Sequence, residues 1–141
     1  MQLQTYIKPQ NFYDFYCWYI SPKLKKIDLF IKTSWRGISV ATAAQLLGIS
    51  ECEVRSIMKE EKITRLDRDN FCTVMKRGSS DICQYINREA ELCAPPTYTM
   101  DDIAYIYGLN IEDVIKAGDI TGIHEATALT LPCLFYHIPV E

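Results

Sequence analysis

The chain has two histidines, no C-x-x-C pair among its six cysteines, and no apolar run approaching the length of a bilayer. Each shortage excludes a class. His124 and His137 stand without a nucleophile motif, and there is no glycine-rich phosphate loop, G-x-S-x-G or H-E-x-x-H, so neither an enzyme nor a cofactor is expected. Cysteines 17, 52, 72, 83, 93 and 133 lack metal-ligand spacing, with no histidine at zinc-finger distance, and read as reduced, partly buried small hydrophobes. A spanning helix needs about eighteen consecutive apolar residues, which excludes a membrane partner. The start, MQLQTYIKPQ, lacks a basic region followed by an apolar one, and the expected compartment is the cytoplasm.

What is present is ordinary globular composition, 48% hydrophobic and 23% charged, in 141 residues. That length suits one domain or two small lobes. The net charge of −3 conceals a polarised distribution. Residues 1–80 hold 13 Lys and Arg against 8 Asp and Glu, whereas residues 81–141 hold 2 against 10. Any attraction for phosphate must therefore lie in the first half.

Helical periodicity dominates. The segment FYDFYCWYISPKLKKIDLF reads as two amphipathic helical pieces divided by Pro22, the second with Leu24, Ile27, Ile31 and Trp35 as its apolar stripe. The run VATAAQLLGISECEVRSIMK, residues 40–59, predicts two short helices around a tight turn. In it Ala44 permits close approach, Gly48 supplies a positive φ, Ser50 caps the second helix, and Val54 and Ile57 face Ala43 and Leu47. The spacing returns sixty positions later in Ala104, Gly108 and Val114. Between the two, residues 63–66 predict a turn or small strand. Asp69 or Asn70 caps a helix stopping at Gly78, and a further helix runs from Ser80 or Asp81 to about Leu92. Ala94-Pro95-Pro96-Thr97 is the plainest break and sets the boundary between lobes 1–93 and 97–141. Beyond it, Asp101 or Asp102 opens a helix turned by Gly108, and Asn110 caps another ending at Gly118. The tail ALTLPCLFYHIPV predicts an edge strand or extended closing segment.

Ala44, Gly48, Ile49, Val54 and Ile57 resemble the helix-turn-helix of bacterial DNA-binding regulators. In that family the second helix enters the major groove while the first crosses the backbone. The resemblance implies double-stranded DNA as partner, with a reading helix from Ser50 to Lys59 on which Arg55 contacts guanine, Ser56 faces outward and Lys59 reaches phosphate. Thr42 and Gln45 act as neutral phosphate donors. Lys23, Lys25, Lys26, Lys32 and Arg36 before the motif add positive charge, as do Lys62, Arg65 and Arg68 after it, the last two where winged variants place a contacting element. A solvated surface is the competing account of those charges. Glu51 and Glu53 oppose phosphate but complement the helix macrodipole.

Ile103, Ala104, Tyr107, Gly108, Val114, Ile138 and Pro139 resemble the LysM module, a β-α-α-β unit whose members commonly bind N-acetylglucosamine polymers and whose degenerate copies act in assembly. The expectation is thus a mostly α-helical protein: a basic helix-turn-helix lobe that binds DNA as a regulator or accessory factor, and an acidic lobe of two helices plus a short β or extended tail. The acidic lobe is expected to mediate homodimerisation or contact with another partner. The alternative is a non-enzymatic interaction or assembly protein with no nucleic-acid role.

Overall fold

Side-chain caps decide where most helices of this chain begin. The computed structural model describes residues 8–33, 37–92 and 96–140. In order, the elements are α1 (Phe12–Phe15), a π-helical turn (Tyr16–Ile20), α2 (Ser21–Thr33), α3 (Val40–Leu47), α4 (Glu51–Glu60), α5 (Arg68–Arg77), α6 (Asp81–Glu91), β1 (Tyr98–Thr99), α7 (Met100–Tyr107), α8 (Ile111–Thr121), β2 (Glu125–Ala126) and α9 (Leu131–Tyr136). The fold is mostly α, with β1 and β2 pairing antiparallel. Asn11, Ser39, Ser50, Asp67, Ser80, Thr99 and Asn110 each accept a backbone N–H from the first turn of the helix they precede. Each such cap is worth about 1 kcal/mol.

The chain forms two compact units, one of Ile20–Ala94 and one joining Met1–Tyr19 to Pro95–Glu141. The N-terminal lobe expected over 1–93 is therefore shorter, because its first nineteen residues belong to the C-terminal unit. Phe12 explains this. Its N–H donates to the Ile138 carbonyl at 2.7 Å, and its ring meets those of Phe135 at 4.8 Å and Tyr107 at 5.8 Å. With 4% of its surface left exposed, burial of that side chain contributes about 1.5–3 kcal/mol. Nor does Pro22 divide two helical pieces as a plain break. It sits in the first turn of α2, directly after the π-helical residues, where a widened turn accommodates the missing N–H and the ring's clash with the preceding carbonyls.

In the unit Ile20–Ala94, α2 buries Ile27 and Phe30, while Leu24 and Ile31 are half-buried and Trp35 lies outside the described residues. The Phe30 ring packs edge-on against Phe71 of α5 at 4.6 Å. Ala43, Leu47, Val54 and Ile57 close the α3–α4 angle, all at 4% exposure or less. After α4 the chain passes through bends to Leu66, whose carbonyl accepts the Ile38 N–H at 3.0 Å. Asp67, two residues before the expected Asp69, then caps α5. Its Oδ1 is placed to accept from Asn70, the third residue of the turn, whereas Asp69 is already inside the helix.

The other unit repeats this plan with an offset of sixty residues. Thr99 caps α7 as Ser39 caps α3, which corrects the expected Asp101 or Asp102. Asp102 instead reaches back to the Thr99 N–H and completes a capping box. Gly48 and Gly108 end the two first helices at φ 68° and 64°, donating to Ala44 and Ala104, in the left-handed region that only glycine enters at no cost. Val54 and Val114 are both fully buried, Leu66 and Ala126 hold equivalent places beside Ile38 and Tyr98, and Val74 and Leu134 are both fully buried in the helix that follows. That last match is why the tail is not a strand. Residues 131–136 form α9, the counterpart of α5, with Pro132 in its first turn where no N–H is needed. The closing strand lies earlier, at Glu125–Ala126. α8 also runs past the expected stop at Gly118 to Thr121, capped by Gly122.

Candidate nucleic-acid interface

Helix α4 presents Glu51, Cys52, Arg55, Ser56, Lys59 and Glu60 to solvent, and its buried side is Val54 and Ile57. Of the expected contacts, Arg55, Ser56 and Lys59 therefore share one exposed face. Thr42 and Gln45 are exposed on α3, with Thr42 held through its N–H and hydroxyl by the Ser39 hydroxyl at 3.1 and 3.0 Å. Ser50 is occupied as the cap of α4, accepting from Glu53 N–H at 3.0 Å.

Charge around this face is mixed. Arg55 pairs with Glu51 at 3.2 Å, one turn away. Arg77 bridges Glu60 and Glu61 at 3.1 and 3.0 Å. These are solvent-exposed pairs, worth about 0–1 kcal/mol each. Glu53 differs, since its two carboxylate oxygens accept the Ser79 N–H and hydroxyl, both at 2.8 Å. That carboxylate fastens the loop before α6 to α4.

The expected outlying basic residues separate. Lys25 is exposed on α2, and Arg65 is exposed while its carbonyl accepts from Asn70. Arg68 spends one guanidinium N–H on the Ile31 carbonyl at 3.1 Å, fastening α5 to α2. Arg36 lies outside the described residues. Lys23, another of the basic residues before the motif, has its ammonium 3.9 Å from where a Gly48 Cβ would be, beside the α3–α4 turn.

In the second module the helix equivalent to α4 is α8, and its surface has another character. Where α4 carries Arg55, Lys59 and Glu60, α8 carries Ile115, Asp119 and Ile120, with the two isoleucines 45% and 65% exposed. Among the described residues no group of three His, Cys, Asp or Glu gathers as a metal site, and no helix is long and apolar enough to cross a membrane. Burial pushes the Cys83 thiol pKa up, consistent with a packed side chain beside the Leu47 carbonyl. Cys52 and Cys133 are exposed rather than partly buried. Cys93 lies outside the described residues. No protein-family model, curated protein or solved structure matches the chain.

Proposed function

We propose that the chain is a DNA-binding protein of the cytoplasm, a transcriptional regulator or accessory factor, in which α4 is the reading helix. The observation carrying this reading is that a capped helix-turn-helix, closed by a third helix, leaves the polar face of its second helix exposed with Arg55, Ser56 and Lys59 in line. Arg55 reads a guanine edge, Lys59 and Lys23 reach phosphate, and Thr42 and Gln45 add neutral donors. The unit Ile20–Ala94 holds 13 Lys and Arg against 10 Asp and Glu, and the other 2 against 8. Phosphate attraction thus belongs to the first.

Fluorescence anisotropy with random duplex tests the reading. The expected dissociation constant is in the range of about 10⁻⁴–10⁻⁶ M and rises steeply with salt. Arg55→Ala weakens binding by about 1–3 kcal/mol on a preferred site. Glu51→Gln, which releases Arg55, strengthens it. Binding that is absent, or indifferent to salt and to Arg55, overturns the proposal.

A second reading has its own support. The order β1–α7–α8–β2 with paired strands is the arrangement expected of a LysM-like segment, although Ile138 and Pro139 follow a helix rather than a closing strand. Eight of the nine exposed large hydrophobics among the described residues, Ile115, Ile120, Leu129 and Tyr136 included, lie in this unit. Such a surface suits protein contact, including a homodimer through the acidic unit. A sedimenting dimer dispersed by Ile120→Asp supports that role. A monomer at high concentration removes it.

A further inference from the structure

The two modules differ at one carboxylate in a way that defines a binding site. In the first, the half-buried Glu53 accepts both donors of Ser79. Sixty residues on, the equivalents are Asp113 and Pro139. Proline has no N–H and no hydroxyl, so the partner that fills this position in the first module is missing in the second. Asp113 is likewise half-buried, and among the described residues its carboxylate has no ion pair or hydrogen bond. Instead it lines a cleft of about 230 Å³, with Asn110 beside it and Phe12, Phe15, Leu109, Ile138 and Pro139 among the apolar walls.

From this geometry we propose that the cleft beside the α7–α8 turn binds an organic cation, a guanidinium or primary ammonium on a short apolar stem. The carboxylate takes the charged head in place of the Ser79-type donors, preferably in the two-pronged geometry a guanidinium offers. The stem lies along Leu109, Ile138 and Pro139, and the half-buried Phe15 ring adds an aromatic face that attracts cations. The cleft is smaller than the roughly 300–1,000 Å³ of drug-sized sites, which matches one charged head and a few carbons rather than a larger molecule. The unit's excess of Asp and Glu favours the same sign of ligand. The charge source is either a free small cation or an arginine side chain of a peptide, and both present the same head and stem.

The test is titration of the full ¹⁵N-labelled chain with n-butylguanidinium, with n-butanol as the uncharged control and a capped Gly-Arg-Gly peptide as the second source. Saturable shifts at Gly108, Leu109, Asn110 and Asp113 are expected with the cation and not with butanol. Tighter binding of the peptide identifies a protein side chain as the source, and tighter binding of butylguanidinium a free ligand. Asp113→Asn abolishes the shifts. Pro139→Ser restores an internal donor pair and weakens binding by about tenfold while leaving the fold intact, which separates loss of a site from loss of structure. Absence of saturable shifts with both cations, equal response to butanol, or unchanged binding in Asp113→Asn overturns the proposal.

Discussion

The α3–α4 and α7–α8 modules share caps, turn glycines and the central buried positions, yet their outer faces differ throughout. Ser39 and Thr99, Gly48 and Gly108, Val54 and Val114, Val74 and Leu134 hold the same places. Arg55 against Ile115 and Lys59 against Asp119 do not. Local backbone chemistry and packing therefore define the module, while its use is decided by side chains that contribute almost nothing to stability. The lesson is that a helix-turn-helix pattern fixes the backbone of both modules and leaves the sign and polarity of the second helix's outer face free to differ.

The largest test of the equivalence removes one buried side chain from each closing helix. Phe71→Ala is expected to cost about 3–5 kcal/mol and Leu134→Ala about 2–5 kcal/mol in urea denaturation, since both side chains are fully buried in the closing helices. A cost under 1 kcal/mol for either breaks the correspondence of α5 with α9.

A sharper contrast comes at Met58 and Gly118, the same position in α4 and α8. A Cβ on Gly118 meets the Ile123 carbonyl oxygen at 2.9 Å and the Met100 sulfur at 3.1 Å. Gly118→Ala therefore destabilises by about 1–3 kcal/mol despite a helix-propensity gain of about 1 kcal/mol. A stabilising Gly118→Ala, read by thermal melting, removes the close approach from the account of α8.

The smallest effect separates the two carboxylates. Glu53→Gln loses a charge-assisted clamp on Ser79 and costs about 1 kcal/mol after allowance for solvent exposure. Asp113→Asn, with no partner to lose, stays within about 0.5 kcal/mol of the parent. Equal costs in chemical denaturation would place a hidden donor beside Asp113.

Much of this fold could be read from the residues themselves. Ser50, Asn110 and the two turn glycines marked helix ends because capping and positive φ are local requirements, satisfied within a few residues. The polarity of α4's outer face was equally visible. Long-range relations were not. Phe12 belongs with Ile138, and nothing in an aromatic N-terminal segment indicates which distant backbone completes it. The tail looked like a strand because β-branched and aromatic residues favour both an edge strand and a short buried helix. Only its match to α5 at the same offset distinguishes them. Gly118 read as a stop, since a glycine demanded by a neighbour's carbonyl and one that ends a helix are identical in sequence. The Asp113 cleft was hidden for a related reason: a missing donor becomes informative only when Ser79 shows what occupies the same place elsewhere in the chain.

The pairing of Phe12 with Phe135 and Ile138 has a consequence for biosynthesis. The two halves of that contact leave the ribosome on the order of a hundred residues apart, so at roughly 5–20 residues per second the early aromatics wait about ten seconds for their partners. The unit Ile20–Ala94 has emerged entirely by then and can fold ahead of the segments that flank it. Burial of the aromatic segment around Phe12 thus waits for residues 135–138.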